Sequence, residues 1–225
     1  MKHQDFTFFT SDRKNFGSVK PAGLYERHMK RALDLFLSIF LLPVLIPILG
    51  ILILWVRKDG GPGLFVHERV GYRGQSFKCL KIRTMVMGAE DRLDGYLNAN
   101  PEASIEWSRT QKLTNDPRIT DLGKFLRKTS LDELPQIWNV IKGEMSLVGP
   151  RPVTRAELQR YGSNVDLYLQ LTPGVTGLWQ VEGRGDGCYN ERIEMDKRYT
   201  ENMSIFQDIL LILRTAGVVV KPTGR

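Results

Sequence analysis

An uncharged apolar stretch of 22 residues, 35–56, constrains this chain more than any other feature of its sequence. At a rise of about 1.5 Å per residue, a helix of this length is roughly 33 Å long, enough to cross a hydrocarbon core of about 30 Å. A cleaved signal peptide is not expected, because its apolar core would lie at about residue 10 and precede a small-residue cleavage site. The sequence therefore predicts a membrane protein that retains this segment.

Two features of the stretch favour a re-entrant helix over a straight transmembrane helix. Pro43 and Pro47 lie in its middle, where each removes a backbone hydrogen bond, so a sharp bend is expected. Basic residues also precede and follow the stretch, and the positive-inside rule draws both ends to the cytoplasmic face. A helix over residues 28–58 that enters and returns satisfies both features, with its basic flanks against anionic membrane lipids. A straight span is the alternative.

The charge distribution supports a membrane partner. The chain carries 32 basic and 25 acidic residues, a net charge of +7. Residues 1–88 hold 14 basic and 6 acidic residues, a net charge of +8, whereas residues 89–225 hold 18 and 19, a net charge of −1. Because the excess lies beside the apolar stretch, anionic lipids fit it better than nucleic acid, and no nucleic-acid partner is expected.

Cysteine and histidine are too scarce for several kinds of site. The chain has two cysteines, Cys79 and Cys188, and three histidines, which form no metal-ligand spacing with them. A structural zinc site, a disulfide scaffold and a histidine general base are therefore not expected. Chemistry then falls to carboxylates, to Lys and Arg, or to a hard metal ion.

The patterns outside the stretch predict an α+β, mostly helical fold in three parts: a tail over residues 1–27, the membrane helix over 28–58 and a catalytic domain over 59–225 on the cytosolic face. Residues 64–69 and 76–82 resemble strands of a hairpin joined by the turn 71–74. Leu122, Phe125 and Leu126 recur at helical spacing and suit either the membrane interface or a packed core. The strongly apolar pattern of residues 204–220 predicts a helix that is either buried or interfacial.

The window 127–152 contains the richest candidate chemistry. Ser130 with Glu133, or Thr129 with Asp132, has the spacing of a capping box, and Pro135 alternatively suits the first helical position. In each version Asp132 and Glu133 stand at the positive end of a helix. They are either ordinary helix-start residues or an ionised pair, with one acid as nucleophile and the other as a Mg²⁺ ligand.

Several basic residues could bind phosphate near this window. Arg151 lies between Pro150 and Pro152, which restrict the backbone and orient a guanidinium suited to phosphate. A single Arg or Lys is more often a solvated surface residue, and the glycines of 172–177 are a weak signal. The further candidates are Lys81, Arg83, Arg118 and Arg184. The residues alone indicate a membrane-surface protein with a Mg²⁺ and phosphate site.

These motifs resemble the bacterial sugar transferases, also called monotopic phosphoglycosyl transferases or undecaprenyl-phosphate sugar phosphotransferases. The block LDELPQ followed by GEMSLVGPRP is long and specific, and the chain is similar to the small catalytic form. The resemblance covers about residues 28–214, and its segments are KRALDL, GPGLFVHERVG, KIRTM, TNDPRIT, LGKFLRKTSLDELPQIWNVIKGEMSLVGPRP, LTPGVTGLWQVEGR and residues 196–199.

The resemblance implies transfer of a sugar 1-phosphate from a UDP-sugar, of galactose or glucose type, to undecaprenyl phosphate with release of UMP. This would be the first step of exopolysaccharide repeat-unit assembly. By the family pattern, Asp132 forms a covalent phosphosugar intermediate, Glu133 helps to hold Mg²⁺ and Arg151 binds phosphate. The family also implies the bacterial inner membrane, with the catalytic domain on the cytoplasmic face, a re-entrant helix and interfacial amphipathic helices. Downstream glycosyltransferases are candidate partners, and the sequence leaves the oligomeric state open, with a homo-oligomer as one option.

Two alternatives follow from the same residues. A ternary-complex transferase would use Asp132 as a base or metal ligand and form no covalent adduct. A catalytically silent membrane adaptor would recruit other enzymes of polysaccharide assembly. The intact pair of Asp132 and Glu133 argues against the adaptor.

Overall fold

In a computed structural model, the described residues are 25, 29–110, 112–183 and 189–220, so the predicted tail lies outside them apart from residue 25. Within this part of the chain, helices predominate and the strands form two small two-stranded sheets, which confirms the α+β, mostly helical prediction. The α-helices are Lys30–Val56 (α1), Ala89–Ala99 (α2), Pro101–Thr110 (α3), Asp121–Lys128 (α4), Gln136–Lys142 (α5), Arg155–Leu158 (α6), Val165–Leu169 (α7), Leu178–Glu182 (α8), Tyr189–Glu201 (α9) and Ile205–Val220 (α10). The strands are Leu64–Val70 (β1), Ser76–Ile82 (β2), Ser146–Val148 (β3) and Gly174–Thr176 (β4).

Helix α1 is a candidate membrane segment. Among the described residues, Lys30–Asp59 is the one helical segment long and apolar enough to cross a membrane. Its apolar side chains are largely exposed, at 67% for Phe36 and 71% for Phe40, so the protein itself does not cover them. The helix is continuous through Pro43 and Pro47. The sharp bend expected at these prolines stays a prediction.

The N-terminal end of α1 is tied to the rest of the protein by polar contacts. The guanidinium of Arg31 donates to the carbonyl oxygens of Val140 and Ile141, at 2.6 and 3.0 Å, which lie in the last turn of α5. A carboxylate oxygen of the buried Asp34 accepts a hydrogen bond of 2.9 Å from the backbone N–H of Leu147. These contacts help to satisfy backbone groups at the end of α5 and the start of β3, where the carbonyl of Val140 also accepts from the N–H of Gly143.

The C-terminal part of α1 packs on the same domain through an apolar cluster. Leu52 is buried against Ile82 of β2 and Leu126 of α4, and Leu49 and Val56 pack around them. Both ends of α1 therefore contact one folded unit, while the exposed apolar side chains lie between them.

The predicted hairpin is confirmed. β1 and β2 pair in antiparallel register, with Phe65 opposite Lys81, His67 opposite Cys79 and Arg69 opposite Phe77. Directly opposed residues of an antiparallel pair project from the same face, and so do residues two apart along one strand. One face of the hairpin therefore presents Cys79 and Lys81 together with Arg69.

Helix α10 confirms the predicted C-terminal helix and adds a second tie to α1. Its Asp208 is 1% exposed and accepts hydrogen bonds from Lys30 at 2.6 Å and from the hydroxyl of Tyr199 at 2.8 Å. Leu211 on the same helix is buried, whereas Phe206 is 75% exposed. One side of α10 thus packs in the protein and the other stays uncovered.

We predict that Leu126→Ala destabilises the fold strongly, because Leu126 is 0% exposed and joins α4 to α1 and β2. Such a cavity costs about 2 to 5 kcal/mol, which lowers the unfolding midpoint by at least about 4 °C in a chain of this size. The measurement is thermal unfolding in a mild detergent. Phe125→Ala is the matched control, since Phe125 is 50% exposed, and equal losses in the two variants would contradict this packing.

Candidate functional site

The two acids lie on a strained turn between α4 and α5. Ser130 adopts a left-handed conformation with φ 55°, which is uncommon for a residue other than glycine. Ser130 follows the end of α4, and a single 3-10 turn, Leu131–Glu133, then carries Asp132 and Glu133 to the start of α5. Strain of this kind persists where the surrounding structure fixes it, and functional sites are its frequent location.

The predicted capping boxes are wrong. Ser130 makes no capping hydrogen bond, and the hydroxyl of Thr129 instead donates back to the carbonyl of Phe125 at 2.8 Å. The left-handed backbone at Ser130 explains the difference, because an N-cap residue normally adopts an extended conformation. Pro135 directly precedes the first residue of α5, one position from the alternative prediction.

Lys81 joins the hairpin to the acidic pair. Its ammonium lies 2.6 Å from an oxygen of Glu133 and 3.9 Å from an oxygen of Asp132. The guanidinium of Arg151 lies 3.7 Å from the same oxygen of Glu133. The structure therefore brings together four of the predicted site residues, two acids and two cations.

The two acids differ in their electrostatic environment. Burial raises the pKa of the Asp132 carboxyl above its usual range, and the charges of Lys81 and Arg127 oppose that shift. Burial acts in the same direction on Glu133, but Lys81 and Arg151 outweigh it and hold the pKa of Glu133 below its usual range. Glu133 is thus the firmly ionised member. Asp132 is the more basic carboxylate and hence the better nucleophile of the pair.

Arg151 is positioned by a backbone contact between two loops. It follows β3, which pairs in parallel with β4, and the N–H of Gly174 donates to the carbonyl of Pro150 at 2.8 Å. A side chain on Gly174 would collide with the backbone of Gly149, so both positions require the absence of a Cβ. Close packing of the backbone therefore explains the glycines of the segment 172–177.

Arg192 also supports Arg151. Its guanidinium donates to the carbonyl oxygen of Arg151 at 2.6 Å, and Arg192 is itself 6% exposed. Sequence reasoning missed this residue, because it lies on α9, far along the chain from the turn that it supports.

The structure does not place Arg83 at the acidic pair. Its guanidinium binds the carboxylate of Asp59 and the carbonyl of Pro62, at 2.7 and 2.6 Å, where the chain leaves α1. Hydrogen bonds from Arg83 hold the pKa of Asp59 at about 2. The phosphate-binding role of Arg83 stays a prediction.

Arg118 is likewise placed away from the pair. Arg118 binds the carboxylate of Asp116 at 2.6 Å and lies over the ring of Trp107. Arg184 lies outside the described residues. Phosphate binding by either residue stays a prediction.

Arg127 begins the window of candidate chemistry, but the sequence analysis did not name it as a site residue. Its charge acts on Asp132, and its Nε donates to the hydroxyl of Thr84 at 2.9 Å. The spacing of Arg127 and Asp132, five residues apart, could not reveal this proximity, since it depends on the left-handed backbone at Ser130.

The donor set suits Mg²⁺ when a phosphate is also present. The described residues contain no cluster of three or more His, Cys, Asp and Glu side chains. Asp132 and Glu133 nevertheless provide two adjacent carboxylates, and Mg²⁺ commonly binds one or two carboxylates with substrate phosphates and water as its other ligands.

Comparison with known proteins gives close relatives over most of the chain. A protein of Erwinia amylovora named UDP-galactose-lipid carrier transferase is 52% identical over 88% of this chain and 42% of its own length. The undecaprenyl-phosphate galactose phosphotransferase of Salmonella typhimurium is 48% identical over 88% of this chain and 42% of its own length. The exopolysaccharide production protein ExoY of Rhizobium meliloti is 44% identical, with 92% of this chain and 91% of that protein covered.

The chain spans about two fifths of the length of the first two of these relatives and about nine tenths of the third. A sequence profile of the bacterial sugar transferases matches residues 25–222, which include the acidic pair, Lys81 and Arg151. By this match and these identities, the chain belongs to the bacterial sugar transferase family.

Proposed function

We propose that this chain transfers a sugar 1-phosphate from a UDP-sugar to undecaprenyl phosphate, releasing UMP, as the first step of exopolysaccharide repeat-unit assembly. The observation that carries the proposal is a buried carboxylate of raised pKa, Asp132, beside an ionised Glu133 and the cations Lys81 and Arg151. The names of the relatives support a polyprenyl-phosphate acceptor and a galactose donor. UDP-galactose is therefore the first donor to test, and UDP-glucose is the second.

In the proposed first half-reaction, a carboxylate oxygen of Asp132 attacks the phosphorus that bears the sugar. The new bond joins that oxygen to phosphorus, and the bond from phosphorus to the bridging oxygen breaks with its electron pair leaving on UMP. In the second half-reaction, an oxygen of the lipid phosphate attacks the same phosphorus. The carboxylate of Asp132 leaves, and the sugar is joined to the lipid through a diphosphate.

The surrounding charges suit this chemistry. Phosphoryl transfer depends mainly on in-line placement and on cations near the phosphate oxygens. Lys81 reaches both acids, so it can neutralise charge at the phosphorus under attack, and Arg151 can bind a phosphate oxygen through its planar guanidinium. Mg²⁺ held by Glu133 and Asp132 would supply further neutralisation of phosphate charge.

We also propose that α1 is re-entrant and that the catalytic domain lies on the cytoplasmic face of the inner membrane. Contacts at both ends of the helix support this proposal: Arg31 and Asp34 bind α5 and β3, and Leu52 packs on β2 and α4. A straight span would separate these ends by a bilayer. The exposed Phe125 on α4 and Phe206 on α10 are candidates for contact with the membrane interface.

Asp132→Asn is expected to abolish UMP release without unfolding the protein, because an amide cannot act as the nucleophile. Incubation of the wild-type protein with donor alone should add a sugar phosphate to the peptide that contains Asp132, detected by mass spectrometry. Asp121→Asn is the matched control, since the side chain of Asp121 is 98% exposed on α4.

Turnover by Asp132→Asn would refute the nucleophile assignment. UMP release without any adduct would favour the ternary-complex alternative. A wild-type protein that releases no UMP from any UDP-sugar, with Mg²⁺ and undecaprenyl phosphate present, would favour the adaptor.

The pH dependence of the reaction should depend on Lys81. Only the ionised Asp132 is a nucleophile, so kcat/KM falls as the pH drops through its raised pKa. Lys81 opposes that rise, and Lys81→Met should therefore raise the pKa of Asp132 further and shift the acidic limb of the profile to higher pH. Lys124→Met is the control, because Lys124 is exposed and pairs with Asp121. Acidic limbs that coincide in wild type and Lys81→Met would contradict this coupling.

Cysteine labelling tests the topology of α1. Met29→Cys and Lys58→Cys, each in a chain with Cys79 and Cys188 replaced by alanine, place exposed thiols at the two ends of the helix. A membrane-impermeant maleimide should label both in inside-out vesicles and neither in spheroplasts. Labelling of one position from each side would establish a straight span instead. Asp121→Cys, in the same background, reports the face of the catalytic domain.

A further inference from the structure

Arg69 lines the same pocket as Glu133, Lys81 and Arg151, and the segment GPGLFVHERVG that contains it was matched to the family without any role for Arg69. The pocket lies between the hairpin, α5 and the loops around β4, and Arg69, Lys81, Arg151 and Glu133 are among the residues that line it. Of the described residues in this lining, three are basic and one is acidic. The three cations of this lining suit a phosphate ligand, and Arg69 contributes to that charge while it pairs with Glu157.

The guanidinium of Arg69 is held in a fixed orientation. It donates to the carboxylate of Glu157 at 2.8 Å, and its other terminal nitrogen lies 3.1 Å from Nδ1 of His67. Glu157 is itself fixed by a capping box with Thr154 at the start of α6. An arginine has five N–H donors. These contacts engage two of them among the described residues, which leaves three available to a ligand.

The position of Arg69 along the hairpin indicates whether it binds a phosphate of the donor or the phosphate of the lipid. Lys81 is opposite Phe65, near the end of β1 that follows α1, whereas Arg69 lies four residues further along the same strand. At about 3.3 Å per residue, the two backbone positions are roughly 13 Å apart. A lipid phosphate is held at the membrane, near the end of the hairpin that adjoins α1. Arg69 lies further from that end along the strand, so it suits the water-soluble donor better than the lipid phosphate.

We propose that Arg69 binds the phosphate of the nucleotide, the group that leaves as UMP, while Lys81 and Arg151 bind the phosphate that is transferred. This inference rests on the proposed function. Arg69 keeps its contact with the same phosphate before and after the donor is cleaved, so it contributes to binding of both UDP-sugar and UMP. The ion pair with Glu157 serves to orient the guanidinium.

Arg69→Gln tests the inference through equilibrium binding and steady-state kinetics. Loss of a charged hydrogen-bond donor should weaken UMP binding, measured by isothermal titration calorimetry, and raise KM for UDP-galactose, each by about 10- to 100-fold. The KM for undecaprenyl phosphate should stay unchanged. If KM for the lipid rises and KM for the donor does not, the phosphate that Arg69 binds belongs to the acceptor. That result would overturn the assignment to UMP.

Glu157→Gln is the matched control for a structural role. Glutamine keeps the capping box, because it serves at that position as glutamate does, but it removes the charge that pairs with Arg69. Because the glutamine oxygen can still accept a hydrogen bond from Arg69, UMP affinity in Glu157→Gln should fall by less than in Arg69→Gln. An equal loss in Glu157→Gln and Arg69→Gln would show that Arg69 acts only through the ion pair, and would overturn the proposal.

Arg69→Lys keeps the test decisive if Arg69→Gln does not fold. Lysine retains the charge and can pair with Glu157, but it lacks the planar set of donors. It should therefore bind UMP more weakly than wild type, and unchanged affinity would overturn the proposal. Release of UMP by the wild-type protein is measured in parallel, so failure of the proposed function is distinguished from failure of this inference.

Discussion

The contact between Lys81 and Glu133 at 2.6 Å joins the two parts of the protein on which the site depends. Lys81 belongs to the hairpin that follows the membrane helix, and Glu133 belongs to the turn that precedes α5. Two adjacent carboxylates in a largely buried position would repel each other and be costly to ionise without such a cation. The same ammonium lies 3.9 Å from Asp132, so one side chain stabilises the charge of both acids and fixes the hairpin against α5.

Sequence patterns predicted the elements that depend on local chemistry. The hairpin followed from two β-like runs around a Gly-rich turn, and the site window followed from the acids between Ser130 and Pro135. Arg83 was a candidate for phosphate binding because it lies in the KIRTM segment with Lys81, two residues earlier. Residues two apart on a strand share a face, yet Arg83 lies just beyond the end of β2 and binds Asp59 instead. No local pattern predicts such a partner.

Other features depend on contacts between distant segments and therefore had no sequence signal. The charge of Arg127 acts on Asp132 across the left-handed Ser130, and the sequence analysis gave Arg127 no role in the site. The close approach of Gly149 and Gly174 also depends on distant segments. The absence of a Cβ matters at these positions only because the two backbone segments pack against each other. The polar support of Arg151 by Arg192 arises in the same way.

The ties at the start of α1 also set the order of events during synthesis. Asp34 leaves the ribosome with the apolar stretch, but its partner, the N–H of Leu147, is 113 residues further along the chain. Throughout that interval the carboxylate of Asp34 lacks this hydrogen bond, beside a segment that partitions into lipid. Folding of the catalytic region is therefore the late step that locks the membrane segment in place, and truncated chains that end before β3 would lack that lock.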